Sequence, residues 1–304
     1  MNVAVIGAGA MGLLFGGRLA MAGNRVILVA DNQTVIDAIR ENGVLLKDDL
    51  GEHSIQAEIA KAEEIKERID MAILFTKTLS TKKAMKSAMA FISEDTHVLT
   101  LQNGIGNLEL LEEFLPRKQI MIGVTNFPSD LKGPGRVCSH GKGYTRFMTA
   151  DGSRPSILYV FCEELIKAGL NGFIREDIRK DIWEKAAFNA ALNSITAICR
   201  VPCGVLGNVK QGKQLVENIV KETAEVAKAE GVGFSAEEVM NQVRDSYIRH
   251  AEHHSSMLQD ILKKKKTEAD YINGAICERA KKNGLSSPYN ETVYAIIKVI
   301  ESEF

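Results

Sequence analysis

Lysine and asparagine recur at four-residue steps in "DIWEKAAFNAALNSITAIC", residues 181 to 199, as Lys185, Asn189 and Asn193. On a helix that advances about 100° per residue, this spacing stacks the three as one polar stripe. No other charged residue occurs between Lys185 and Arg200, so the segment reads as withdrawn from water, where polar groups are costly unless partnered. The stripe is therefore a candidate binding surface. An amine in such a place can stabilise negative charge on an oxygen and give it a proton, and partial burial lowers its pKa toward a useful range. A lysine at a helix start can also simply snorkel its stem over apolar surface. Residue types alone leave both readings open.

A second constellation lies at the N-terminus. "NVAVIGAGAMGLLFGGRLAMAG" (2–23) runs from a short β-branched strand into glycines at 7, 9 and 12, then into a helical pattern. Gly7 suits a tight turn, Gly9 lets a pyrophosphate approach the backbone, and Gly12 lets the helix pack closely on the strand. With Ala8, Ala10 and Met11 between them, these residues form the expected phosphate-facing turn at a helix N-terminus. A second apolar strand, "RVILVA" (25–30), ends at Asp31, nineteen residues after Gly12, where an acid can accept from the adenosine ribose. The alternative is a glycine-rich turn that only packs a helix.

The elements that must position these residues follow from the pattern. "MAILFTK" (71–77) and "HVLTLQNG" (97–104) read as further strands joined by a helix-like crossover, and "IMIGVTNF" (120–127) and "YTRFMTAD" (144–151) as strands completing the domain. Alternating strand and helix signals predict a doubly wound, mostly parallel sheet. Ligands of such sheets sit beyond the carboxyl ends of the strands, where Lys77 and Asn103 fall. The stretch "PSDLKGPGRVCSHGKG" between the last two strands reads as a hairpin or loop. Beyond about residue 155 long amphipathic patterns take over, as in "KQLVENIVKETAEVAKAEG", with Val216, Ile219, Val220, Val226 and Ala227 on one face and a stop at Gly231. The expectation is an α/β dinucleotide-binding domain over 1–170 and an all-α domain over 171–304, with the active site in a cleft between them.

Composition narrows the partners. The 304 residues are 45% hydrophobic and 25% charged, with 38 basic against 39 acidic side chains. That balance favours neither nucleic acid nor an anionic membrane surface. Five cysteines in a chain without a secretory signal suggest reduced thiols in the cytoplasm. The apolar start from Val3 to Gly17 is preceded by no basic residue and is interrupted by glycines, and no apolar run reaches the roughly 20 residues of a membrane helix. "HAEHH" (250–254) has helical spacings but no completing ligand, so a surface histidine cluster is expected rather than a metal site. "KKKK" (263–266) reads as a solvated face. "CRVPC" (199–203) matches no redox or zinc motif, and both its thiols are read as packing residues. Apolar faces of the helical half could form a homodimer.

With Gly7, Gly9, Gly12, Lys77, "QNGIGN", "WEKAAFNAALNSITAI", "SSMLQD" and "TEADYINGAI" in view, the chain resembles the ketopantoate reductases, 2-dehydropantoate 2-reductases of pantothenate biosynthesis. The resemblance implies a Rossmann domain, a helical domain and NAD(P)H-dependent reduction of ketopantoate to pantoate. It makes Lys185 the general acid, with Asn189 and Asn193 holding the substrate's hydroxyl and carboxylate ends. Ser256 matches a substrate-binding serine, Glu268 a glutamate beside cofactor and substrate, and Asn103 an asparagine contacting nicotinamide and substrate. Two departures stand out. Many relatives carry a basic residue where this chain has Asp31, which would repel a 2′-phosphate and favours NADH over NADPH. Cys203 lies where some relatives carry a substrate-contacting asparagine. Another small 2-keto or 3-hydroxy acid as substrate, or a non-catalytic dinucleotide sensor, are the alternative readings.

Overall fold

The computed structural model describes residues 1–304. The first glycine turn connects β1 (Asn2–Ile6) to α1 (Ala10–Met21), followed by β2 (Arg25–Val29) and α2 (Gln33–Asn42). Then come β3 (Val44–Asp48), β4 (Gly51–Ile55), β5 (Glu58–Ala60), β6 (Met71–Leu74), α3 (Thr81–Ala88), β7 (His97–Thr100), α4 (Asn107–Glu112) and β8 (Ile120–Thr125). A hairpin of β9 (Asp130–Gly133) and β10 (Arg136–Cys138) precedes β11 (Thr145–Thr149), α5 (Ser156–Lys167) and β12 (Gly172–Ile174).

Eight strands make the larger sheet, in the order β12–β11–β8–β7–β6–β1–β2–β5. Every neighbouring pair is parallel except β11 against β8, so the expected mostly parallel, doubly wound sheet is present. Continuous apolar runs such as Val3–Ile6, Val26–Val29 and Met71–Leu74 are buried residue by residue, as strands covered on both faces require. β1 lies between β2 and β6. The chain therefore winds outward from β1 to β2 and β5, then returns to start the other half at β6. That reversal is the topological switch point at which such sheets bind ligands.

A smaller sheet, β4–β3–β10–β9, joins residues far apart in sequence, with β10 parallel to β3 and the outer pairs antiparallel. The Pro/Gly-rich stretch is thus a hairpin, as one of its two readings had it.

From residue 178 the chain is helical: α6 (Ile178–Phe188), α7 (Ser194–Cys199), α8 (Cys203–Asn208), α9 (Lys210–Ala229), α10 (Ala236–Arg249), α11 (Ser256–Leu262), α12 (Asn273–Lys282) and α13 (Pro288–Glu301). The face of α9 read from sequence is the buried one, and Gly231 takes the left-handed conformation (φ 75°) that stops the helix. None of the helices is long and apolar enough to cross a membrane.

The chain divides into two compact units, residues 1–102 with 107–178, and residues 103–106 with 179–304. The division after Ile178 differs from the expected break at 170 because β12 is hydrogen-bonded in parallel to β11 and so belongs to the sheet. Asn103–Gly106 belongs to the helical unit although the sequence on either side of it does not. The reason is local. Ile105 N donates to Tyr271 O at 2.8 Å, its side chain joins the helical core, and at Gly104 (φ 93°) any β-carbon would overlap that same carbonyl.

Candidate active site

In the first unit a candidate binding turn is made of backbone. Gly7 has φ 108°, and an added β-carbon would lie 2.9 Å from Thr76 N, beyond the end of β6. At Gly12 it would overlap Gly7 O, so the close crossing of α1 over the turn requires glycine there. Gly9 is different: its φ is −84° and no protein atom lies within 4 Å of where its β-carbon would be. Neither strain nor packing calls for glycine at that position. The open space there leaves the backbone accessible, so the residues fit a pyrophosphate at the N-terminus of α1, where Gly9 offers no side chain to cap the free amides. Ala8, Ala10 and Met11 complete the turn and are partly exposed, with Met11 Sδ accepting from Ser129 Oγ at 2.9 Å.

Around that turn, Asp31 follows β2 and is paired with Lys83 of α3, Nζ to Oδ2 2.7 Å. Both side chains are exposed, and the hydrogen bond from Lys83 to Asp31 raises the lysine above its ordinary value. Sequence reading singled out Asp31 and missed Lys83, which sits fifty-two residues away. Lys77 is exposed before the short turn that opens α3. Gln102 Nε2 ties the ends of β6 and β7 together by donating to Thr76 O at 2.7 Å and to Thr81 Oγ1 at 2.9 Å.

In the second unit the candidate residues are side chains. The helix carrying the lysine–asparagine stripe is not uniform: between α6 and α7, residues 189–193 form a widened π turn. Such single turns are frequent at functional sites because they displace side chains from the regular ladder. Asn193 Nδ2 donates to Asn189 Oδ1 at 3.1 Å, so two of the stripe's three members are linked. The opposite face, with Ala186, Ala187, Ala190 and Ala191, is packed into the helical core.

Lys185 is partly buried, and desolvation pushes its pKa down from the ordinary 10.5 to about 8, against the opposing pull of the Glu268 carboxylate. Glu268 Oε2 accepts from Asn103 Nδ2 at 3.1 Å. Three expected residues from separate stretches of chain (Lys185, Asn103 and Glu268) thus form one electrostatic cluster. The segment carrying Glu268 is anchored next door, where Glu301 Oε1 accepts from both the amide and the hydroxyl of Thr267 at 2.7 Å. Ser256 is exposed at the first position of α11, whereas its neighbour Ser255 is buried and caps that helix. Ser255 Oγ is also 2.8 Å from Thr196 Oγ1, which donates to the Leu192 and Asn193 carbonyls at 2.9 Å.

Sequence reading missed the frame behind the π turn. Asn273, fully buried, donates to Ala190 O and to Asn290 Oδ1 at 3.1 Å and accepts from Ser194 Oγ at 2.6 Å. It gives the displaced backbone a hydrogen-bond partner. The available signal was an asparagine in an otherwise apolar stretch, "YINGAI".

The histidines of "HAEHH" do not continue a helix, because α10 ends at Arg249. The rings of His250 and His253 are 6.4 Å apart, and no three His, Cys, Asp or Glu side chains there or elsewhere are arranged to hold a metal ion. Lys263–Lys266 are exposed, and Cys203 is buried while Cys199 is exposed.

A glycine turn at the switch point of a parallel sheet, followed by a helical unit with a partly buried lysine, defines an oxidoreductase of the Rossmann type. The chain belongs to the ketopantoate reductase PanE/ApbA family: the family's N-terminal model matches residues 3–152 and its C-terminal model residues 177–301. It is 33% identical over 303 residues to the 2-dehydropantoate 2-reductase of Streptococcus pyogenes serotype M6, covering 99% of this chain and 98% of that one. To the 2-dehydropantoate 2-reductase of Pyrococcus horikoshii it is 34% identical over 309 residues, covering 99% and 98%. Among solved structures, D-mandelate dehydrogenase with NADH and anilino(oxo)acetate has a TM-score of 0.96 and 32% identity, covering 100% of this chain and 99% of that one.

Proposed function

We propose that this oxidoreductase reduces ketopantoate to pantoate with a reduced nicotinamide dinucleotide, Lys185 acting as the general acid. The observation that carries the reading is a lysine that burial brings down to a pKa of about 8 against the pull of Glu268, which itself accepts from Asn103, in the helical unit of a chain whose first unit has the phosphate-facing glycine turn. Gly7 to Gly12, Asp31 and Lys77 would hold the dinucleotide, which when bound supplies the hydride. Lys185 then stabilises the negative charge that develops on the ketone oxygen and gives it a proton. Near pH 7 an amine of that pKa is mostly protonated yet gives up its proton far more readily than an ordinary lysine. Glu268 keeps the amine charged and, through Asn103, fixes the amide of a residue that would contact substrate and nicotinamide. Asn189, Asn193 and Ser256 would hold the hydroxyl and carboxylate of the substrate.

For the cofactor, Asp31 favours NADH, because a carboxylate accepts from ribose hydroxyls and repels a 2′-phosphate. Lys83, paired with Asp31 at 2.7 Å, is the cation that offsets part of that repulsion, so the preference is expected to be modest.

A second substrate is favoured by one observation: the likeness to D-mandelate dehydrogenase in complex with NADH and anilino(oxo)acetate extends over the whole chain. An aryl 2-keto acid is the corresponding substrate class. The test follows the near-ultraviolet absorbance of NADH or NADPH with ketopantoate and with a panel of aliphatic and aryl 2-keto acids. Greatest kcat/KM with ketopantoate supports the first reading, and greater kcat/KM with phenylglyoxylate replaces it by the second. No turnover with any keto acid would overturn both.

A further inference from the structure

The smaller sheet carries reactive groups that the proposed reduction does not use. β10 ends at Cys138, and the alternation of an extended chain turns Cys138 and His140 to one side and Ser139 to the other. Ser139 is buried, its hydroxyl donating to Pro128 O at 2.7 Å and its amide to Lys47 O at 2.9 Å. On the other side, Cys138 Sγ lies 3.0 Å from His140 Nε2, and His140 Nδ1 lies 3.0 Å from Asp49 Oδ1. Asp49 comes from the turn between β3 and β4, and its second oxygen accepts from Gly141 N at 2.7 Å. Those two hydrogen bonds, the amide's first, hold the Asp49 carboxyl below its ordinary range, with a smaller contribution from Arg18 of α1.

An ionised Asp49 can only accept, so His140 Nδ1 must carry the proton and Nε2 presents its lone pair to the thiol. Lys47 of β3 stands opposite Cys138 in the parallel register and is itself held by Glu52 of β4 at 2.8 Å. A nucleophile, a base and the group that orients the base are thereby assembled from two chain segments about ninety residues apart, |i−j| being 91 between Asp49 and His140.

We propose that Cys138 is a modification site, a nucleophilic thiol activated by His140 and Asp49 that exchanges with small organic disulfides. His140 Nε2 takes the thiol proton, and the thiolate attacks one sulfur of the disulfide. The sulfur–sulfur bond breaks, and the departing thiolate recovers the proton from the imidazolium. Cys138 ends as a mixed disulfide, and one half of the reagent is reduced to a free thiol. Cys138 itself is half-buried, and the side chains of His140 and Asp49 beside it are 58% and 60% exposed. The other cysteines are differently placed: Cys203 is buried, burial pushes the thiols of Cys162 and Cys277 up, and Cys199 is exposed in the helical unit. Cys199 is therefore an internal reference in the same molecule.

The experiment treats the full chain with oxidised glutathione, and separately with limiting iodoacetamide, at about pH 7, where an ordinary thiol is mostly protonated and an ordinary imidazole mostly neutral. Peptide mass spectrometry then gives the rate at each cysteine. Cys138 is expected to react on the order of tenfold faster than Cys199 with both reagents. His140→Gln should bring it down to the Cys199 rate, with Asp49→Asn intermediate and the circular dichroism of both variants unchanged. Equal rates at Cys138 and Cys199, or an excess that survives His140→Gln, would overturn the activation. Fast alkylation without a glutathione adduct would overturn the disulfide assignment.

Discussion

Lys83 in the first unit and Lys185 in the second each face a carboxylate, yet their amines move in opposite directions. Lys83 is exposed, and its hydrogen bond to Asp31 raises it above 10.5. Lys185 is partly buried, and loss of water brings it down to about 8 although Glu268 acts the other way. A carboxylate beside an amine in water raises its pKa, whereas beside an amine taken out of water it offsets only part of what burial lowers. Lys83 is consequently a fixed charge beside Asp31. Lys185 is a group able to exchange its proton near neutral pH.

The sharpest way to break this contrast is to remove the amines. Lys185→Met should lower kcat for keto-acid reduction by about 10² to 10⁴, the range a general acid contributes, while Lys83→Ala leaves kcat within about twofold. Steady-state kinetics on the two variants would erase the distinction if they lost activity equally.

Next in size is a pair of glycine substitutions that separates backbone built for the fold from backbone built for a ligand. Gly9→Ala has space and an ordinary φ, so the melting temperature should hold while the KM for the dinucleotide rises on the order of tenfold, one lost contact's worth. Gly12→Ala, which would overlap Gly7 O, should instead lower the melting temperature. A Gly9→Ala protein that binds the dinucleotide normally would sink the phosphate role of the turn.

The pH profile sharpens the comparison further. With Lys185 as the proposed general acid, kcat should fall as pH rises through about 8. Glu268→Gln removes the pull that keeps the amine charged, and the fall should move to lower pH. The stability sign is opposite. The folded chain binds fewer protons at Lys185 than the unfolded chain between about 8 and 10.5, so this group's contribution to stability rises with pH across that window. Thermal melts of the wild type against Lys185→Met should therefore converge as pH rises.

The smallest effect concerns the exposed pair. Asp31→Ala should raise the ratio of NADPH to NADH kcat/KM by about two- to fivefold, the scale of an exposed charge, and added salt should shrink the difference. An unchanged ratio would remove Asp31 as a selector.

Much of this architecture could be read from local pattern. The glycine turn, β1, β2, β6 and β7 announce themselves because each is a short apolar run with turn residues at its ends, and α9 because its apolar face repeats at helical spacing. The smaller sheet did not, since β10 is three residues long and depends on β3, some ninety residues earlier. β12 escaped notice for the same reason and displaced the unit boundary to residue 178. The lysine–asparagine stripe was legible as residue types, whereas its π turn was not: that depends on Asn273 and Asn290, whose partners are set only by tertiary packing. Lys83 was hidden likewise, a lysine among lysines until the fold put it against Asp31.

The four residues from Asn103 to Gly106 have a consequence for how this chain can be divided or recombined. A fragment beginning at Arg179 would contain Glu268 without the amide that donates to it, and the Tyr271 carbonyl without Ile105 N. A chimera joined at residue 178 would likewise inherit its Asn103 from one parent and its Glu268 from the other. Modular exchange between relatives therefore has to carry this short loop along with the helices, as a third piece of inheritance lying inside the first unit's stretch of sequence.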